Sequence, residues 1–317
     1  MVERECLLEL ENVSYAYQEG RKALEEVSAR FYPGERVAVL GNNGAGKSTF
    51  FLCCNGVLRP EAGRLLFEGR EIRHKRQELI LLRKNVGIVF QEPDQQIIAA
   101  TVESEVSFGP MNLKLPKEEV LARVEGAIKA MDLEEYRRRP PHYLSGGEKK
   151  RVSIADILAM EPKIILFDEP TASLDPQNSA LLEKTLDELS ARGMTLVVST
   201  HDVDFAWRFA RRLLVFHQGK IIADGLPEEI FADDELICRA GLKKPLLYQA
   251  AAELLSRTGK EAGEKAGKAG EEDRSGKTGE TRKTGGPGSA GRSAGKLPPD
   301  LPKTPEEFRH FLEKRIR

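Results

Sequence analysis

The stretch RVAVLGNNGAGKST, Arg36 to Thr49, leaves the chain few ways to fold. Val37 to Leu40 form an apolar, β-branched run bounded by glycine, which reads as a buried strand. From Lys47 the pattern reads as a helix, so the glycine-rich segment between must be a tight turn. A strand, such a turn and a helix together aim successive backbone N–H groups, and the positive end of the helix, at one point. The spacing is G-x-x-x-x-G-K-[ST], a phosphate cradle. Gly41, Asn42, Asn43, Gly44, Ala45 and Gly46 would form the loop and Lys47 would reach the β- and γ-phosphates. The Ser48 hydroxyl would bind Mg²⁺, and Thr49 follows it in the same turn.

Other short apolar runs predict strands at 7–13, 27–32, 86–90, 163–167, 195–199 and 212–216, with helical patterns between them. That alternation predicts an α/β sheet with helices on its faces. Between 101 and 160 the strands stop and an inserted helical subdomain is predicted. KIILFDEP, 163–170, ends a strand in two acids, which a parallel sheet delivers to its C-terminal edge, where ligands of α/β folds sit. Beside a phosphate cradle, Asp168 is the expected Mg²⁺ carboxylate and Glu169 the general base that polarises water.

LSGGE at 144–148 before a helix, Gln91 after the strand VGIVF, SLD at 173–175 and STHD at 199–202 complete an ordered set. With the two elements above, the chain resembles the ABC-type ATPases over roughly residues 5–240. The resemblance implies a P-loop ATPase domain of α/β class with an antiparallel β-subdomain and the inserted helical subdomain. It implies ATP and Mg²⁺ as ligands. Tyr17 takes the place of the aromatic that stacks on adenine, and Gln91 that of the residue touching Mg²⁺ or the attacking water. His201 is implied at the γ-phosphate. Ser145, Gly146 and Gly147 are implied to act across a dimer, on nucleotide held by a second ATPase subunit, either an identical copy or a paralogue, and Asp175 is implied to bridge to that subunit.

Helix capping alone explains Ser145 and Glu148, because S-x-x-E is a capping box. It does not explain Gly146 and Gly147, which lower helix propensity in the first turn; close approach of another molecule explains both. Glu148 departs from the family's commonest glutamine and reads as a cap.

QEPDQQI (91–97), TVESEVSFGPMNLKLPKEEV (101–120) and LSGGEKKRVSIADILAMEP (144–162) resemble the ATPase subunits of energy-coupling factor importers, notably the cobalt/nickel type. That resemblance implies a transmembrane coupling protein docking on Glu92 to Val106. It further implies a substrate-binding membrane protein and a peripheral place on the cytoplasmic face of the membrane. Cargo is expected to be cobalt, nickel or a vitamin. The other reading is a soluble ABC ATPase not tied to transport.

The chain has 317 residues and a formal net charge of -1, which gives no reason to expect nucleic acid as a partner. Its four cysteines, Cys6, Cys53, Cys54 and Cys238, have neither metal-ligand nor disulfide spacing. The charged start MVERECLLELENV lacks a signal-peptide core, and no apolar run approaches the ~20 residues that span a bilayer. Beyond the ATPase domain, a helical extension is expected over 241–255. A disordered linker is expected over 256–296, where apolar residues nearly vanish. A terminal amphipathic helix is expected over 297–317, with Thr304 as N-cap, Pro305 at its first position and Glu307 completing a capping box. Phe308, Phe311, Leu312 and Ile316 would share its apolar face.

Overall fold

The computed structural model describes residues 5–18, 20–172, 174–257 and 301–314. The chain divides into two compact units, Met1–Lys243 and Lys244–Arg317.

The first unit holds two sheets. One is antiparallel, in the order β2-β1-β4-β5, from β1 (Leu8–Ala16), β2 (Lys22–Phe31), β4 (Ala62–Phe67) and β5 (Arg70–Glu71). Leu24, Val27, Ala29 and Phe31 of β2 are buried while their neighbours are not, the alternation of a sheet with one dry face. The other sheet runs β10-β9-β3-β8-β7-β6. Its parallel strands are β3 (Arg36–Leu40), β6 (Val86–Val89), β7 (Ile164–Asp168), β8 (Thr195–Thr200) and β9 (Arg212–His217). β10 (Lys220–Gly225) pairs antiparallel with β9. β6, β7 and β8 are buried at every residue, as strands covered on both faces must be.

α1 (Lys47–Cys54) joins the two sheets. Phe50 lies 6.2 Å from Phe31 of β2 and 5.1 Å from Phe216 of β9 between ring centroids. Phe50 and Phe51 have no exposed surface, and burying each contributes about 2–3 kcal/mol. This packing fixes the start of α1, and so the cradle, against both layers. Cys53 and Cys54 are buried in the same core, where burial pushes the Cys53 thiol up to about 12 and that of Cys54 well above its ordinary value. Both act as small apolar side chains.

α2 (Arg76–Asn85) precedes β6. α3 (Val102–Asn112), α4 (Lys117–Ala130) and α5 (Gly146–Ala159) form the inserted subdomain and pack on one another, with Val106, Val124, Ile128 and Ile154 buried. The remaining helices of this unit are α6 (Pro176–Ala191), α7 (Val203–Phe209), α8 (Pro227–Ala232) and α9 (Asp234–Ala240).

In the second unit, α10 covers 246–257 and α11 is Pro305–Glu313. The expected extension over 241–255 is therefore helical only from 246, because Gly241 closes α9 at φ 65° and Pro245 follows. The linker expected over 256–296 begins too early, since residues 256 and 257 still belong to α10, and the rest of it lies outside the described residues, as does Ile316. Thr304 caps α11 by accepting from Glu307 N at 3.2 Å, but the Glu307 carboxylate accepts from Lys303 N rather than Thr304 N. The predicted reciprocal cap is thus displaced by one residue. Phe308 and Phe311 stack on one helix face with ring centroids 6.2 Å apart. No helix among the described residues is long and apolar enough to cross a membrane.

Candidate functional site

β3 ends in the middle of the parallel sheet, and Gly41 to Gly46 turn the chain into α1. Gly46 has φ 110°, and a Cβ there would lie 2.6 Å from the Ala23 carbonyl, so no other residue fits. The turn between β9 and β10 braces the loop: Gly219 N donates to Ala45 O at 2.9 Å, and Gly219 O accepts from Glu25 N at 2.9 Å. Lys47 Nζ donates to Gly41 O at 2.6 Å and Asn42 O at 3.4 Å, and Ala45 N to Asn42 O at 3.0 Å. The carbonyls of Gly41, Asn42 and Ala45 are thus engaged within the protein. The N–H groups of Asn43, Gly44 and Gly46 donate to nothing among the described residues. A loop so built attracts an anion.

The cleft over this loop has a volume of about 450 Å³, and its lining includes Tyr17, Gln91, Glu169 and the loop residues from Asn42 to Thr49 other than Ala45. Two other concavities, of about 590 and 620 Å³, lie elsewhere; in them Arg212 is already paired with Asp224, at 2.6 Å, and they contain no run of free N–H groups.

Parallel pairing of β7 with β8 sets Asp168 opposite Ser199. Ser199 Oγ donates to Asp168 Oδ1 at 2.5 Å, while Glu169 N donates to Ser199 Oγ at 3.0 Å and to Ser199 O at 3.1 Å. One serine therefore orients both acids. Glu169 itself sits in the left-handed region at φ 42°, a conformation its tethers maintain against its own preference. Its Oε1 lies 3.2 Å from Lys47 Nζ without an aligned hydrogen bond, and its Oε2 lies 2.9 Å from His201 Nδ1. The Lys47 and Glu169 side chains are 6% and 8% exposed and that of His201 is 60% exposed, so the imidazole closes the solvent side of a dry ion pair.

Tyr17 is 44% exposed at the cleft rim, its hydroxyl 3.1 Å from Thr49 Oγ1 and its ring edge-on to Tyr15 at 5.1 Å. It is not a core tyrosine. For a divalent cation the cleft offers the Ser48 hydroxyl and the Gln91 amide, with Asp168 at the adjoining strand end. Asp168 Oδ2 accepts no hydrogen bond among the described residues. No group of three or more His, Cys, Asp or Glu among them could hold a metal alone. One carboxylate with neutral oxygens fits Mg²⁺, which keeps waters and takes phosphate oxygens as ligands.

Ser145, Gly146, Gly147 and Asp175 are not among the residues lining this cleft. Ser145 and Glu148 form the predicted capping box: Ser145 N donates to Glu148 Oε2 at 2.6 Å, and Glu148 N to Ser145 Oγ at 3.4 Å. That backbone bond first, with help from the Ser145 and Tyr136 hydroxyls, holds the Glu148 carboxyl below its ordinary range. The expectation that close approach of another molecule explains both glycines needs correction. A Cβ on Gly147 would overlap the Asn178 side chain of the same chain, whereas one on Gly146 would meet nothing within 4 Å. Asp175 caps α6, accepting from Asn178 N at 2.8 Å and Asn178 Nδ2 at 2.7 Å, bonds that lower its pKa. Ser173 lies outside the described residues.

Sequence reasoning missed the part played by the three cations beyond the glycines. Lys149, Lys150 and Arg151 each fasten another part of the chain to α5. Lys149 Nζ lies 2.8 Å from Asp94 Oδ1. Arg151 donates to the carbonyls of Met131 and Asp132 at 3.1 and 2.9 Å. Lys150, only 2% exposed, donates to Phe90 O at 2.8 Å and Gln91 O at 2.6 Å, and burial pulls its pKa down to about 8 against the opposing pull of Glu92 and Asp168. Gln96 accepts from Phe90 N at 3.3 Å and donates to Ser153 O at 2.9 Å and Asp156 Oδ2 at 3.2 Å. Glu105 accepts from Ile98 N at 2.9 Å and Ala99 N at 2.6 Å.

The chain matches the family described as ABC transporter over residues 24–172. It is 48% identical over 239 residues to the energy-coupling factor transporter ATP-binding protein EcfA of Methanocaldococcus jannaschii, covering 75% of this chain and 86% of that protein. EcfA of Methanothermobacter thermautotrophicus is 49% identical, with 75% and 77% covered. Among solved structures, cbiO1 of Clostridium perfringens, described as part of the ABC transporter complex cbiONQ, is 40% identical with a TM-score of 0.67, covering 78% of this chain and 98% of that one. An ATP-binding cassette solved as a dimer bound to ADP and Pi is 31% identical with a TM-score of 0.63, covering 70% and 99%.

Proposed function

The chain belongs to the ABC transporter ATPases, and from that premise we propose that it powers an energy-coupling factor importer from the cytoplasmic face of the membrane. Two copies, or this chain and a paralogue, close around two ATP molecules, each held between one subunit's phosphate loop and the other's LSGGE. The observation that carries this reading is the division of the site. Lys47, Gln91 and Glu169 gather at one cleft, while Ser145, Gly146 and Gly147 stand outside it at the tip of α5. Two halves that do not meet in one chain are completed by a second.

Each residue then has a task. The free N–H groups of Asn43, Gly44 and Gly46 and the Lys47 ammonium take the phosphate oxygens, and Tyr17 offers its half-exposed ring to the adenine. Ser48, Gln91 and Asp168 would hold Mg²⁺, which supplies neutralisation of phosphate charge. Glu169 Oε1, buried without a hydrogen bond, accepts the proton of the attacking water, and His201 steadies its other oxygen. The trans Ser145 hydroxyl and helix end add donors to the γ-phosphate as charge shifts. Differential contacts to ATP over ADP drive closing and opening.

Glu92 to Val106 would meet the transmembrane coupling protein, and a separate membrane protein would select the cargo, cobalt, nickel or a vitamin. Affinity purification of the full chain from detergent-solubilised membranes tests the reading. A membrane protein retained in stoichiometric amount, and cargo uptake in vesicles that Glu169→Gln abolishes without loss of assembly, are the expected results. Recovery of the active ATPase solely from the soluble fraction favours the soluble alternative.

A further inference from the structure

The chain leaves the sheet at the end of β6, which is an edge strand, and the next two carbonyls, of Phe90 and Gln91, have no ladder to join. Both are taken by one side chain, Lys150, from the second turn of α5. An ammonium is suited to this, having three donors and a stem long enough to reach from a helix to a neighbouring loop. Its burial argues that the position is built for the contact, since a lysine with no partner there would turn to water.

The neighbouring contacts act in the same sense. Gln96 ties Phe90 N to Ser153 O on α5, and Lys149 ties Asp94 to the same helix. The backbone from Phe90 to Gln96 is thus carried by α5, whose first residues are the half-site presented outward. The Gln91 side chain, on that same backbone, lines the chain's own nucleotide cleft. Through these contacts a shift of α5 would draw the Gln91 backbone with it.

We propose that Lys150 is a positioning residue for hydrolysis: it transmits the position of the signature helix α5 to the backbone of Gln91, so that contact made by LSGGE at one nucleotide sets the catalytic geometry at the other. The inference rests on the reading of Gln91 as a residue of the hydrolytic site. It assigns Lys150 no contact with nucleotide.

The test uses the full chain and three kinetic variants. Lys150→Met keeps the length of the stem and removes the donors. It should lower kcat about tenfold while leaving KM for Mg·ATP, and ATP affinity of the monomer, within about twofold. Lys150→Gln keeps amide donors for the carbonyls and should recover turnover to within about threefold of the parent protein. Gln91→Ala reports on the underlying reading. If it leaves turnover unchanged, Gln91 is not in the hydrolytic site and that reading fails; if it lowers turnover while Lys150→Met does not, the inference alone fails. Parallel loss of ATP affinity and kcat in Lys150→Met overturns the proposal, as does a Lys150→Gln variant as impaired as the methionine variant. Should Lys150→Met not fold, Lys150→Ala, which admits water to the two carbonyls, takes its place under the same criteria.

Discussion

The Lys47 ammonium stands 3.2 Å from Glu169 Oε1, with both side chains more than nine-tenths buried. The same ammonium donates to the Gly41 carbonyl at 2.6 Å. Lys47 thus divides its charge between the loop that receives phosphate and the carboxylate proposed as base. On the proposed reading a γ-phosphate would compete for that ammonium. Its arrival would weaken the hold on Glu169 Oε1 at the moment when a base is needed.

Replacing Glu169 with glutamine keeps the shape of the site and removes the base. Turnover is expected to fall at least about a hundredfold, while ATP affinity stays within about threefold. Phosphate release measures the first quantity, and size-exclusion with ATP should reveal a closed dimer that persists. Normal turnover would remove Glu169 from its role.

His201 holds the second carboxylate oxygen at 2.9 Å, so its loss frees Glu169 to rotate. His201→Ala is expected to lower kcat about ten- to a hundredfold at saturating ATP. His201→Gln, whose amide can donate to the same oxygen, should recover part of it. Equal rates for the alanine variant and the parent would show that the imidazole does not orient the base.

Asp156 ties stability to pH. Burial first, and then the charge of Glu105, raise its pKa to about 7, against the Gln96 amide, which lowers it. The folded chain binds this proton more tightly than the unfolded chain, so the stabilisation is complete at low pH and is lost as pH rises from about 4 through about 7. Partial solvent access screens the effect, and about 1–2 kcal/mol is expected. Asp156→Asn should remove this slope from melting curves taken between pH 5 and pH 8, and should be the more stable protein at pH 8. A slope unchanged by the substitution assigns it to other groups.

The two signature glycines should behave differently. Gly147→Ala pushes on Asn178 and disturbs its bonds to Asp175, and is expected to cost about 1 kcal/mol. Gly146→Ala has open space and gains helix propensity, so it should raise stability by up to about 1 kcal/mol. If Gly146 faces a partner's phosphate, the same alanine lowers ATP-driven dimerisation, read by analytical ultracentrifugation. A stabilised protein that dimerises normally would leave Gly146 with no trans role.

Legibility in the sequence followed chain locality. The cradle, Asp168 with Glu169, and the Ser145–Glu148 cap are each written in a few consecutive residues, and their chemistry follows from spacing. Lys150 was not legible, because its partners lie 59 and 60 residues away and a charged helix residue ordinarily faces water. Asn178 against Gly147 was hidden for the same reason. β4 and β10 escaped notice because an edge or half-exposed strand carries Arg64, Lys220 or Asp224 among its apolar residues. Ser199 stood in a recognised motif, but its bonds to both acids depend on the register of β7 against β8, which no local pattern encodes.

The brace from Gly219 to Ala45 has a kinetic meaning. On the proposed reading, a loop tied through the carbonyls of Gly41, Asn42 and Ala45 would have little left to order when ATP arrives. Capture would then escape the delay that folding on contact imposes. On that reading the slower events of the cycle would be the approach and parting of whole subunits, and Gly219, in a hairpin far along the chain, would help to keep the loop ready for its nucleotide.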